Sequence, residues 1–137
     1  MEPTRLFDLI YQQNADSPLE KCVGHRIDGE WTFYSTQEVI DRARQISHGL
    51  LKLGLKPGDK VAVVVYANRP EWVALDFGMS QIGVIGVPVY PTISPREYAY
   101  IFNEAEVKAC FVGKDDLYDK IAETQKSPSC YRRRTAP

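Results

Sequence analysis

Gly83-Val-Ile-Gly86 is the stretch of this chain most easily read as a phosphate-binding turn, since closely spaced glycines let backbone N–H groups approach a pyrophosphate. It lacks both the third glycine of a dinucleotide fingerprint and the Gly-Lys-Ser/Thr of a P-loop, so a helix C-cap followed by a tightly packed strand fits better. His25 and His48 could act as bases or metal ligands, but neither has a cysteine or carboxylate at ligand spacing, and surface or capping histidines are the simpler reading. Asp115-Asp116 resembles a paired carboxylate of the acid–base kind. Its position just before Leu117 instead marks a helix N-terminus, where the dipole favours negative charge. Trp72, Tyr98 and Phe102 could line a pocket for an apolar chain, yet their helical spacing reads first as core. Arg132-Arg133-Arg134 could meet RNA or anionic lipid, but three residues make a weak patch, and sequence foreign to the fold is the better reading. No residue is therefore assigned a catalytic, cofactor-binding or metal-binding role.

Composition narrows the classes. A chain of 137 residues, 44% apolar and 26% charged, has room for one globular domain with a sizeable core. Its formal charge is −1, and once the three arginines of the acid-free segment 127–137 are set aside, residues 1–126 carry −4. An acidic body argues against a nucleic-acid partner. Cys22, Cys110 and Cys130 are odd in number and lack Cys-x-x-Cys spacing, which points to a reducing compartment rather than a disulfide framework. No signal-peptide pattern opens the chain, and no run approaches the ~20 apolar residues that span a bilayer. A cytoplasmic protein without a transmembrane segment is expected.

The elements that would position these residues follow an α/β pattern. Leu6, Leu9, Ile10 and Gln13 predict a short amphipathic helix over 5–13, ended by Asp16-Ser17-Pro18. Extended runs near 20–27 and 30–34 flank Asp28-Gly29, which suits the positive φ angles of a type I′ hairpin turn. Ser35 and Glu38 form a capping box, Tyr34 and Val39 a hydrophobic staple, and Val39, Ala43, Ile46, Leu50 and Leu53 one buried stripe. Gly54 falls where a left-handed C-cap is needed, with Leu55 folding back onto Leu50. After the turn Lys56-Pro57-Gly58-Asp59, residues 61–65 are apolar without alternation, as in a strand covered on both faces.

Asn68 and Glu71 offer a second capping pair, with Pro70 in the first turn, for a helix that is apolar nearly all round (Trp72, Val73, Leu75, Phe77, Met79, Ile82) and closes at Gly83. A second strand runs from Val84 to Tyr90, punctuated by Pro88 and Pro91. Ser94-Pro95-Arg96-Glu97 is a third capping box, completed by the staple Ile93–Tyr98. A strand over Ala109–Val112 and a helix carrying Leu117, Tyr118 and Ile121 complete the pattern. Strand–helix–strand–helix–strand predicts a mostly parallel sheet with flanking helices, preceded by a short helix and a β-hairpin. The pattern stops near Lys126, so residues 1–126 are expected to form one subdomain and 127–137 an irregular tail.

Read in order, Thr32-Phe33, Ala43-Arg44, Leu53-Gly54, Pro57-Gly58-Asp59, Val61, Asn68, Glu71-Trp72 and Gly83 to Pro88 resemble the opening of the adenylate-forming enzymes. Val89-Tyr90-Pro91-Thr92 is most similar to the long-chain fatty acid–CoA ligases among them. The resemblance covers roughly residues 1 to 125, and its specificity lies in the ordered set rather than in any one piece. It implies part of a larger N-terminal domain whose intact enzyme attaches fatty acid to coenzyme A, with ATP and magnesium, through an acyl-adenylate. It further implies that the phosphate loop, the magnesium-binding Thr-Glu pair, the ribose-binding aspartate and the lysine of the mobile C-terminal domain are absent from these residues. A fragment inactive by itself, with apolar surface exposed for self-association at Trp72's helix or strand 84–90, is the expectation. A free-standing binding or interaction module on the same fold is the alternative. A flavodoxin-like nucleotide binder ranks last, because Ala67-Asn68-Arg69-Pro70 stands where its glycine-rich turn would be.

Overall fold

The computed structural model of the chain describes residues 3–126. Their elements run α1 (Asp8–Asp16), β1 (Val23–Ile27), β2 (Glu30–Tyr34), α2 (Thr36–Lys52), β3 (Lys60–Val64), α3 (Pro70–Gln81), β4 (Ile85–Pro88), α4 (Pro95–Glu104), β5 (Val107–Val112) and α5 (Asp115–Ala122), followed by a 3₁₀ turn over Glu123–Lys126. The chain folds as two compact units. One takes the residues up to Lys56 together with Asn68–Gly83; the other takes Pro57–Ala67 and the residues from Val84 on.

The first unit holds α1, the β1–β2 hairpin, α2 and α3. The hairpin turns through Asp28 (φ 49°) and Gly29 (φ 88°), the two positive angles expected of its sequence. Helix α2 starts on the predicted box: Ser35 Oγ accepts from the Glu38 N–H at 3.2 Å, and Glu38 Oε2 accepts from the Ser35 N–H at 2.7 Å. It stops as a Schellman motif, with Gly54 at φ 84° and the Leu55 N–H donating to Leu50 O at 3.2 Å. Val39, Ile40, Ala43 and Leu50 are buried, and Ile10 joins Val39 and Ile40 in a small core. Helix α3 lies close along α2, because Gly78 brings its backbone against Ala43 and Ile46. A Cβ at Gly78 would stand 2.8 Å from Ala43 O. The buried Ser47 hydroxyl bonds across to Gly78 O at 2.7 Å.

One predicted cap is not made. Asn68 and Glu71 form no capping box: α3 starts one residue later, with Arg69 as its N-cap, in extended conformation and without a side-chain cap. The cause is the proline ring. Capping by Asn68 would require Arg69 to be helical immediately before Pro70, where the helical region is disfavoured. Glu71 instead accepts both N–H groups of the Arg69 fork, at 2.8 and 3.1 Å. Every residue from Pro70 to Gln81 except Asp76 is buried or half-buried, as suits a helix apolar nearly all round, so the apolar surface expected on Trp72's helix is not exposed.

The second unit is built on a three-stranded parallel sheet in the order β4-β3-β5. Central β3 buries Val61, Ala62, Val63 and Val64, as an apolar run without alternation demands. Ala62 and Val64 meet Val89, Tyr98, Phe102, Val107, Leu117 and Ile121, so α4 and α5 cover that face. Helix α4 has the predicted box between Ser94 and Glu97, with Pro95 at its first position. Strand β4 is shorter than expected, and Pro88 is tolerated because it sits on an edge strand. Strand β5 begins earlier than Ala109, at Val107. Lys60 pairs with Val107 and Val61 with Ala109, so Lys108 is an extra residue, a bulge entered through Glu106 at φ 53°.

Candidate functional surface

In parallel α/β sheets, ligands bind outside the carboxyl ends of the strands. In the second unit that edge is formed by the segments after β3, β4 and β5, and helices α4 and α5 tie them down. Tyr66, just past β3, donates its hydroxyl proton to Asp116 Oδ2 at 2.6 Å. Lys114 holds its ammonium 5.6 Å from the centre of the Tyr66 ring. After β4, the Tyr90 carbonyl accepts the Tyr98 hydroxyl at 2.9 Å, and the Pro91 carbonyl accepts from Lys120 Nζ at 3.3 Å. Asp116 and Lys120 are four residues apart on α5, so one helix face fixes two of the three segments. Tyr90 itself points outward, 81% exposed.

Hydrogen bonding and burial set the electrostatics of this edge. The bond to Asp116 raises the Tyr66 pKa, so its hydroxyl stays protonated and is a poorer acid than a free phenol. The same bond holds the Asp116 carboxyl below the usual range. Burial pushes the Tyr98 hydroxyl up.

The residues singled out by sequence are dispersed. Gly83, at φ 71°, terminates α3, while Gly86 lies within β4 opposite Val61. His48 is exposed on α2. His25 is half-buried on β1, its ring 6.1 Å from that of Tyr34, and its Nε2 is buried without a hydrogen-bond partner among the described residues. Asp115-Asp116 occupy the first turn of α5 as expected; the Tyr66 bond to Asp116 was not legible, because it joins residues 50 apart. Tyr98 and Phe102 are core residues with ring centres 5.8 Å apart, and Trp72 is half-buried. Arg132-Arg133-Arg134 and Cys130, with the rest of 127–137, lie outside the described residues.

An anion binds a helix N-terminus through free N–H groups and a positive dipole end. Each of the five α-helices among the described residues carries a carboxylate in its first turn: Asp8, Glu38, Glu71, Glu97 and Asp115 with Asp116. Among the described residues, no group of three or more His, Cys, Asp or Glu side chains could hold a metal ion. Nor is any described helix long and apolar enough to cross a membrane.

Against known proteins, the family described as AMP-binding enzyme matches residues 11–135. The chain is 30% identical over 124 residues to the long-chain-fatty-acid–CoA ligase FadD15 of Mycobacterium tuberculosis, covering 90% of this chain and 20% of that protein. It is 34% identical over 95 residues to the long-chain-fatty-acid–CoA ligase 6 of Homo sapiens, covering 68% and 14%. Among solved structures, the benzoate CoA ligase of Burkholderia xenovorans LB400 superposes with a TM-score of 0.76 at 19% identity, over 93% of this chain and 25% of that one. The fatty acid AMP ligase of Legionella pneumophila gives 0.73 at 20% identity, over 86% and 21%. At these identities the structural likeness speaks for the fold, and the chain spans about a fifth of the length of the first ligase.

Proposed function

The chain belongs to the AMP-binding enzyme family, and from that premise we propose that it is the N-terminal portion of a long-chain fatty acid–CoA ligase. The observation that carries the reading is the alignment with FadD15, which runs through 90% of the chain. The whole enzyme would join a long-chain fatty acid to coenzyme A at the expense of ATP, releasing AMP and pyrophosphate. ATP and magnesium would be held by residues outside those described, and no step of the reaction is assigned to residues 3–126. Their part is to build the buried β3 and the two helix-tied segments at its carboxyl edge, on which the rest of a ligase domain would assemble. Alone, the chain is catalytically inactive, and its exposed apolar side chains favour self-association.

Reading the genomic DNA beyond codon 126 tests this. A frame encoding a Thr-Ser-Gly-rich loop and a Tyr-Arg-Thr-Gly-Asp run is expected, and its absence from every frame would sink the proposal. The alternative, a binding module, would show itself in a thermal-shift screen of the purified chain against ATP, coenzyme A and fatty acids. Reproducible stabilisation by one of them would favour the module; an unchanged melting temperature supports the ligase portion.

A further inference from the structure

We draw no further inference here: the strongest candidate, the outward face of the β1–β2 hairpin where Trp31 and Phe33 stack beside Lys21 and Arg26, is an exposed apolar face with nothing in the structure to show what covers it, and the nearby Glu20, Asp28 and Glu30 offset the charge that could single out a partner.

Discussion

Gly78 and Gly49 look alike in sequence and differ in what surrounds them. A methyl group at Gly78 would meet a backbone carbonyl and Ile46 at 2.8 Å, whereas at Gly49, on the exposed side of α2, it would meet nothing within 4 Å. Gly78→Ala should therefore destabilise by about 1–3 kcal/mol through overpacking. Gly49→Ala should be neutral or stabilise by up to about 1 kcal/mol, from helix propensity. Urea unfolding of the two variants checks this, and equal effects of one sign would refute the α2–α3 packing described. A second residue-scale expectation concerns pH. The Arg5 side chain, bonded to Asp8, lowers that carboxyl to about 2. The Ser35 N–H and hydroxyl lower Glu38, and the Ser94 hydroxyl and N–H lower Glu97. A depressed folded-state pKa adds stability above the ordinary carboxylate value of about 4 and loses it as pH falls through the folded value. The melting temperature should thus drop between about pH 4 and pH 2, and less steeply in Glu38→Gln/Glu97→Gln. Parallel acid limbs in the two proteins would contradict the assignment. Gly78 and the Tyr66–Asp116 bond could not be read from sequence, because both depend on which residues the fold brings together.

At the scale of elements, the local code was legible wherever it closes within a few residues. Both capping boxes, the Asp-Gly turn, the Schellman stop at Gly54 and the unalternating β3 appear where their residue types require. Helix α3 shows where a motif match falls short. Asn68 and Glu71 have capping-box spacing, but Pro70 constrains Arg69 and shifts the start by one residue. At Ser94 the same rule works in favour of the motif, since the residue before Pro95 is itself the extended N-cap. Substitution separates the two cases: Ser35→Ala and Ser94→Ala should each cost about 1 kcal/mol, while Asn68→Ala should change stability little. Comparable losses at all three positions would mean that Asn68 caps α3 after all. The bulge at Lys108 left no mark in the apolar run Ala109–Val112, because the extra residue lies before that run, at the start of β5.

For the whole molecule, apolar exposure lies partly where the sequence pointed and partly elsewhere. Tyr90 and Ile85, in the segment 84–90, are exposed, but Trp72 and its helix are largely covered. Tyr90 reaches 81%, while Leu6 at 79%, Tyr100 at 67% and Trp31 at 62% lie outside the predicted segments, with Trp31 stacked on Phe33 at 5.8 Å and 13° between ring planes. The Phe33 ring in turn lies so close over Gly24 that a Cβ there would stand 2.6 Å from it. Hydrophobic periodicity finds core faces well, but it does not tell an exposed apolar face from a covered one. The purified chain should bind an apolar dye and associate with rising concentration in sedimentation, and Trp31→Ser/Phe33→Ser should weaken both. A compact monomer that binds no dye would count against this. In the proposed reading these residues are scaffold, and the chemistry of a long-chain fatty acid–CoA ligase lies outside them. Fatty-acid-dependent pyrophosphate release by the purified 137-residue chain, supplied with ATP, magnesium and coenzyme A, tests it most directly. No release above the background without fatty acid is predicted, under conditions where an intact ligase of the family turns over, and release that depends on the fatty acid would contradict it.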